Sequence, residues 1–254
     1  MPAATTGLIA ADPGVAAPAL ERASWSARRR LTVFVILCIV AYALAMVATM
    51  PAGVAFGNRT WRNGIAGTIW NGEVGITGGT KIEWRWAPLR SLTSLAFAAD
   101  WKATGPDTDL GGRGLVRFGR TVLDAVSGSA HASLLDAIQP NLPFTCDLVT
   151  QSEFERIAIG GSGQMIQGKL TTDPGICTPK GGGAAVPVPA LLLTAEKIGT
   201  TTRIRIAPAT QRLQTLIDAT LTEDGALTVR MTSDGARVLP FVGMPAGASI
   251  SGQI

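Results

Sequence analysis

The sequence predicts a mainly β protein behind one N-terminal transmembrane helix. Two patterns predict this class. Residues 31–50 read LTVFVILCIVAYALAMVATM, a twenty-residue run without a charge. Beyond Pro51, β-prone pieces recur at about 8–12-residue intervals between turn signals, the rhythm of antiparallel all-β architecture.

The apolar run comes first in the chain. At about 1.5 Å per residue it reaches roughly 30 Å, one hydrocarbon thickness. A backbone in lipid must satisfy its own hydrogen bonds, so the run is expected to be a helix. Arg28, Arg29 and Arg30 stand directly before it and hold that end in the cytoplasm by the positive-inside rule. Roughly 200 residues then lie on the far side. A cleaved signal peptide is the competing reading. Its apolar core usually spans only about 7–15 residues, although Ala41-Tyr42-Ala43 and Ala43-Leu44-Ala45 have the small-x-small form of a cleavage site. A buried core helix is the other alternative. Residues 1–27, rich in Ala, Pro, Gly and Ser, show little apolar periodicity. The expected plan is a disordered tail over 1–30, an anchor over 31–50 and a β-rich domain over 51–254.

Pro51 helps end the helix. Glycines then punctuate the chain at 64, 67, 72, 75, 78 and 79, with β-prone pieces at 68–70, 73–77 and 80–86 between them. In Lys81 to Trp86 alternation is strict: Ile82, Trp84 and Trp86 share one side, Lys81, Glu83 and Arg85 the other. Period two marks a half-buried strand. Residues 94–102, 113–118 and 120–126 read as further strands, with Gly128 a turn. A short central helix is expected over 130–138, stopped by Pro140. Strands at 157–159 and 164–171 flank a Gly160-Gly161 turn, and 180–189 reads as a loop. The last third predicts strands at 190–197, 201–207, 216–222 and 226–232. Glu223-Asp224-Gly225 forms the sharpest hairpin signal. Two sheet segments, about 51–140 and 141–254, are the expected plan around the helix.

Composition narrows the function classes. Residues 1–30 carry a net +2, and residues 51–254 hold 18 basic and 16 acidic residues. With no Lys/Arg run beyond the membrane-proximal cluster, nucleic-acid binding is set aside. Cys38 lies in the apolar run; Cys146 and Cys177 stand 31 positions apart beyond it. In an oxidising compartment an even pair predicts a disulfide, with two buried thiols the alternative. One histidine and no CxxC argue against a metal site.

Catalytic motifs are sparse. There is no GxSxG, HExxH or P-loop. Gly160-Gly161-Ser162-Gly163 lacks the lysine of a phosphate loop and reads as a turn. His131 is a candidate general base without an obvious nucleophile. Glu153 and Glu155 share a face, beside Arg156. No catalytic or cofactor-binding residue is assigned. Five tryptophans, at 61, 70, 84, 86 and 101, crowd into 41 positions after the anchor. They offer either large rings for a thin core or a sticky face for lipid or a partner. Regular spacing favours the core for Trp84 and Trp86, and Trp61 suits the membrane interface.

Gly67-Thr68-Ile69-Trp70-Asn71-Gly72, followed by Ile82-Glu83-Trp84-Arg85-Trp86-Ala87-Pro88-Leu89, resembles the opening of the type II secretion system protein N family. The order of parts is similar too: short tail, one membrane helix, this turn, this strand, then paired cysteines and a β-rich end. AsmA-like membrane-anchored proteins share a related turn and an elongated sheet. The resemblance implies a non-catalytic accessory component of the general secretion machinery, in the cell inner membrane, with a periplasmic domain and other secretion components as partners. It brings no cofactor. Gly67 and Gly72 would allow a tight turn with positive φ, Trp70 would anchor it, and the Trp84/Trp86 face would hold the first hairpin on the core; Pro88 completes the motif. An AsmA-like lipid-handling protein with an apolar groove is the alternative. A hydrolase gathering His131 with carboxylates has least support.

Overall fold

The structure is a computed structural model that describes residues 19–55, 62–76 and 78–253. It divides into two compact units, the first ending at Thr49 and the second beginning at Met50.

The first unit is one helix, α1, Ala19–Ala48. Its Arg28–Ala48 portion is long and apolar enough to span a membrane, and none of it is buried. Two hydroxyls bond back into the ladder, Thr32 to the Arg28 carbonyl and Thr49 to the Ala45 carbonyl, which suits a surrounding without water. Residues 19–30, expected in the disordered tail, are helical instead. Ala, Leu, Glu and Arg dominate there, and extending a formed helix is cheaper than starting one.

The second unit is built on one antiparallel sheet. After α2 (Ala52–Ala55), its strands are β1 (Arg62–Gly67), β2 (Asn71–Ile76), β3 (Lys81–Trp86), β4 (Phe97–Gly105), β5 (Thr108–Arg117) and β6 (Arg120–His131). The sheet continues through β8 (Val149–Ile159), β9 (Met165–Thr172), β12 (Leu191–Ile198), β13 (Thr201–Pro208), β14 (Ile217–Thr222), β15 (Ala226–Met231) and β16 (Ser249–Gln253). All thirteen lie side by side in chain order, so every contact is a hairpin or a hairpin with an insertion. At about 4.8 Å per strand the sheet runs roughly 60 Å. Short helices α3 (Pro88–Ser94), α4 (Ser133–Ile138) and α5 (Ser233–Val238) sit in the connections.

The insertions form a second layer. β7 (Phe144–Asp147), β10 (Gly175–Pro179) and β11 (Val186–Val188) make a three-stranded sheet in the order β11-β10-β7. Cys146 registers opposite Cys177, and the two are bridged with Cα atoms 4.1 Å apart. The predicted disulfide therefore staples this small sheet. Its packing forms the main core: Cys177, Val188, Leu216, Leu239 and Phe241 are buried together, with Phe144 edge-on to Phe241 at 5.0 Å.

Several expectations need correction. Two sheet segments divided near residue 140 are not found; β6 pairs with β8 along ten registered positions from Thr121↔Ile159 to His131↔Val149, and the sheet is continuous. Gly128 is not a turn. It lies inside β6 at φ +127, where a Cβ would come 2.0 Å from the Asp109 carbonyl oxygen; only glycine lets the neighbouring strand approach so closely. Residues 130 and 131 are strand, and the helix begins at Ser133. Residues 68–70 are the turn and Arg62–Gly67 the strand. Residues 186–188, read as loop, add an edge strand to the small sheet, a position that tolerates Pro187. β6 and β8 each carry a bulge, with Ala125 at φ +51 and Glu155 unmatched, which adds local twist.

Candidate functional site

The resemblance residues build a single joint at the start of the second unit. Thr68 closes the turn: its N–H donates to the Asn71 carbonyl at 2.8 Å and its hydroxyl accepts from the Asn71 N–H at 3.2 Å. Gly67 sits at φ +88, as a tight turn requires. Gly72 is needed for a different reason from the one expected. Its φ is ordinary, but a Cβ would lie 2.4 Å from the Trp84 ring and 2.7 Å from the Ala66 carbonyl oxygen. Trp84 lies over Gly72, its registered partner, and donates its indole N–H to the Ile69 carbonyl at 3.1 Å. Trp70 packs at a tilt against Trp86, with ring centres 4.7 Å apart, and against Phe97 at 6.1 Å. The Trp86 indole N–H donates to the Ser91 hydroxyl at 2.8 Å, and Pro88 opens α3, where a missing N–H costs nothing. The chain enters this joint directly: the Ile69 N–H donates to the Met50 carbonyl at 3.1 Å, and Pro51 bridges to Thr68. Trp61 falls outside the described residues. Trp101, also in the early cluster, has its indole N–H buried without a partner.

A second feature lies farther along the sheet. Ser152, Leu170, Leu193, Ile206 and Ile217 register in one row across β8, β9, β12, β13 and β14. Residues two apart on a strand share its face, so Thr150, Thr172 and Leu191 join them. Above this face stand Leu134 and Leu135 of α4, Phe144 and Cys146 of β7, Cys177, Val188, and Leu239 with Phe241 from the C-terminal segment. The layers leave a cavity of about 480 Å³ whose wall surface is almost wholly apolar. That volume falls within the roughly 300–1,000 Å³ of small-molecule pockets. The alternative of an apolar groove named no residues, because the cavity's walls come from segments up to 112 positions apart (Ala130 to Val242); only the alternation within each strand was visible.

His131 lies at the rim. Its Nδ1 accepts from the Ser133 N–H at 3.2 Å, with the Ser133 hydroxyl at 2.8 Å, and Nε2 faces Asp147 Oδ1 at 3.1 Å. Hydroxyl, imidazole and carboxylate stand in a row, and the Ser133 hydroxyl and backbone N–H share the Nδ1 side of the ring. Asp147 is exposed, in water that weakens its hold on the ring. His131 is placed to cap the first turn of α4.

The carboxylates at 153 and 155 take separate partners on either side of the β8 bulge. Glu153 pairs with Lys169 at 2.9 Å, and Glu155 accepts from the Gln167 amide at 2.6 Å. Arg156 turns to Asp124 at 2.7 Å, a hydrogen bond that raises the guanidinium pKa above its ordinary value. The four glycine-rich residues 160–163 link β8 to β9 as a turn. Among the described residues, no three His, Cys, Asp or Glu side chains gather as a metal site. No family model, curated protein or solved structure matches the chain.

Proposed function

We propose that this chain is a non-catalytic accessory component of the type II, or general, protein secretion system. α1 would cross the cell inner membrane once, with its N-terminus cytoplasmic and the β domain periplasmic. The mechanism is tethering: the helix confines the sheet to a thin layer and raises its effective concentration near other membrane components. The observation that carries this reading is the joint at residues 67–89. The residues that resemble the secretion family are those that interlock through Trp70, Trp84 and Trp86, and the chain reaches them within twenty residues of the apolar helix. Purification of the full chain in mild detergent tests it. Co-recovery of inner-membrane secretion components is the expected result; their absence contradicts the reading.

The apolar cavity favours a second reading, a lipid-handling domain. Its 480 Å³ void and nearly unbroken apolar lining suit an acyl chain better than a polar solute. Mass spectrometry of the purified chain tests for retained phospholipid or fatty acid.

A further inference from the structure

Antiparallel register brings several connections to the end of the sheet where the chain enters. The turn at 68–70, which holds Met50 and Pro51, lies at this end. Asn71 registers with Arg85, so β3 finishes there, and the α3 connection and the start of β4 lie there too. Phe97 registers with Val116, which places the Arg117–Arg120 hairpin at the same end.

This end is apolar where water would normally select polar side chains. Leu89 and Leu92, one turn apart on α3, are 78 and 71% exposed, and Leu95 just after it is 88% exposed. Phe118, at the hairpin tip, is completely exposed. Single exposed apolar residues are ordinary; four on adjacent segments mark an interaction surface. The group is held in place. Ser91 bonds to Trp86, Arg90 pairs with Asp100 at 2.6 Å, and the Arg117 guanidinium donates to the Ser94 carbonyl, tying the hairpin to the end of α3. α3 thus fixes its polar side to the sheet and leaves its leucines unpartnered.

We propose that this end of the sheet docks on a phospholipid bilayer surface, with Leu89, Leu92, Leu95 and Phe118 entering the headgroup region and Arg90 and Arg117 beside the phosphates. Two observations choose lipid over another occupant. Met50, bonded at this end, stands only two positions after Ala48, the last residue of the membrane-length helix. Arg90 and Arg117 each use one guanidinium nitrogen on Asp100 or Ser94, and their remaining N–H groups flank the leucines as donors for phosphate oxygens. The surface is distinct from the apolar cavity, and the proposal does not depend on the secretion reading.

The test uses a built-in control. Leu213 is also fully exposed, but its loop joins the end of β13 to β14 at the opposite end of the sheet. Leu92→Cys, Phe118→Cys and Leu213→Cys are made singly in the full chain carrying Cys38→Ser; the Cys146–Cys177 bridge leaves no competing thiol. Each is labelled with an environment-sensitive fluorophore and reconstituted into phosphatidylethanolamine/phosphatidylglycerol vesicles holding a headgroup-level nitroxide lipid. Interfacial segments sit about 5–10 Å into the boundary, so probes at 92 and 118 should be quenched severalfold more than the probe at 213. Adding Leu89→Asp should reduce the quenching at 118. Equal quenching at all three positions, or none at 92 and 118, overturns the proposal.

Discussion

Trp84 donates its indole N–H to the carbonyl of Ile69, fifteen positions earlier, at 3.1 Å. The bond fastens the 68–70 turn to β3, and the ring lies against Gly72 so closely that no side chain fits there. Trp84→Phe removes the donor and trims the bicyclic indole to a single ring; a loss of at least about 1 kcal/mol is expected from the hydrogen bond alone. Gly72→Ala sets a methyl against the ring and a backbone oxygen, and about 1–3 kcal/mol of overpacking cost is expected. Thermal unfolding of the full chain in detergent, followed by tryptophan fluorescence, checks both. Both variants should unfold at a lower temperature than the native chain, and an unchanged midpoint for either would contradict the joint.

The small sheet depends on its staple. Cys146 and Cys177 should resist alkylation until reduced. Replacing both with serine should lower stability by about 3–4 kcal/mol for a loop of this length, on a chain-entropy estimate. Denaturation with and without reductant measures the difference. A pair that labels freely before reduction contradicts the bridge.

The cavity should respond to filling. Leu193 stands mid-row on the cavity floor, registered with both Leu170 and Ile206. Leu193→Trp should keep the fold and reduce the lipid retained on purification. Lipid counts unchanged from the native chain would show that retained lipid belongs to the helix.

At the 222–226 hairpin the Thr222 hydroxyl donates to Asp224 and holds its carboxyl below the ordinary carboxylate value. A folded-state pKa below the unfolded one stabilises the fold above the unfolded value, and that contribution is lost as pH falls through the folded value. Thr222→Val should raise the Asp224 pKa toward the ordinary range, as an NMR titration would read directly. No upward movement would show that the hydroxyl is not the cause.

The local periodicities were legible in the sequence, and the assembly was not. Alternation in Lys81–Trp86 located β3, and Asp224-Gly225 located a hairpin, because both signals are complete within a few residues. The continuous sheet was hidden because joining β6 to β8 requires residues 132–148 to fold out into a separate layer. α3 was hidden because seven residues carry too little helical periodicity, although Pro88 marked its start. Gly128 looked like a turn because close strand approach and turning both select glycine. Of the candidate site, the tryptophan joint was visible as a motif, whereas the cavity draws its walls from nine strands, α4 and the C-terminal segment and leaves no local trace.

The account rests on an uncleaved helix that holds the β domain across the membrane. Protease treatment of spheroplasts, with mass spectrometry of the surviving fragments, tests this most directly. Digestion of the region beyond residue 60, with residues 1–27 protected, is the predicted result. Protection of the domain with loss of the N-terminal tail, or a mature chain beginning near residue 46, would contradict it.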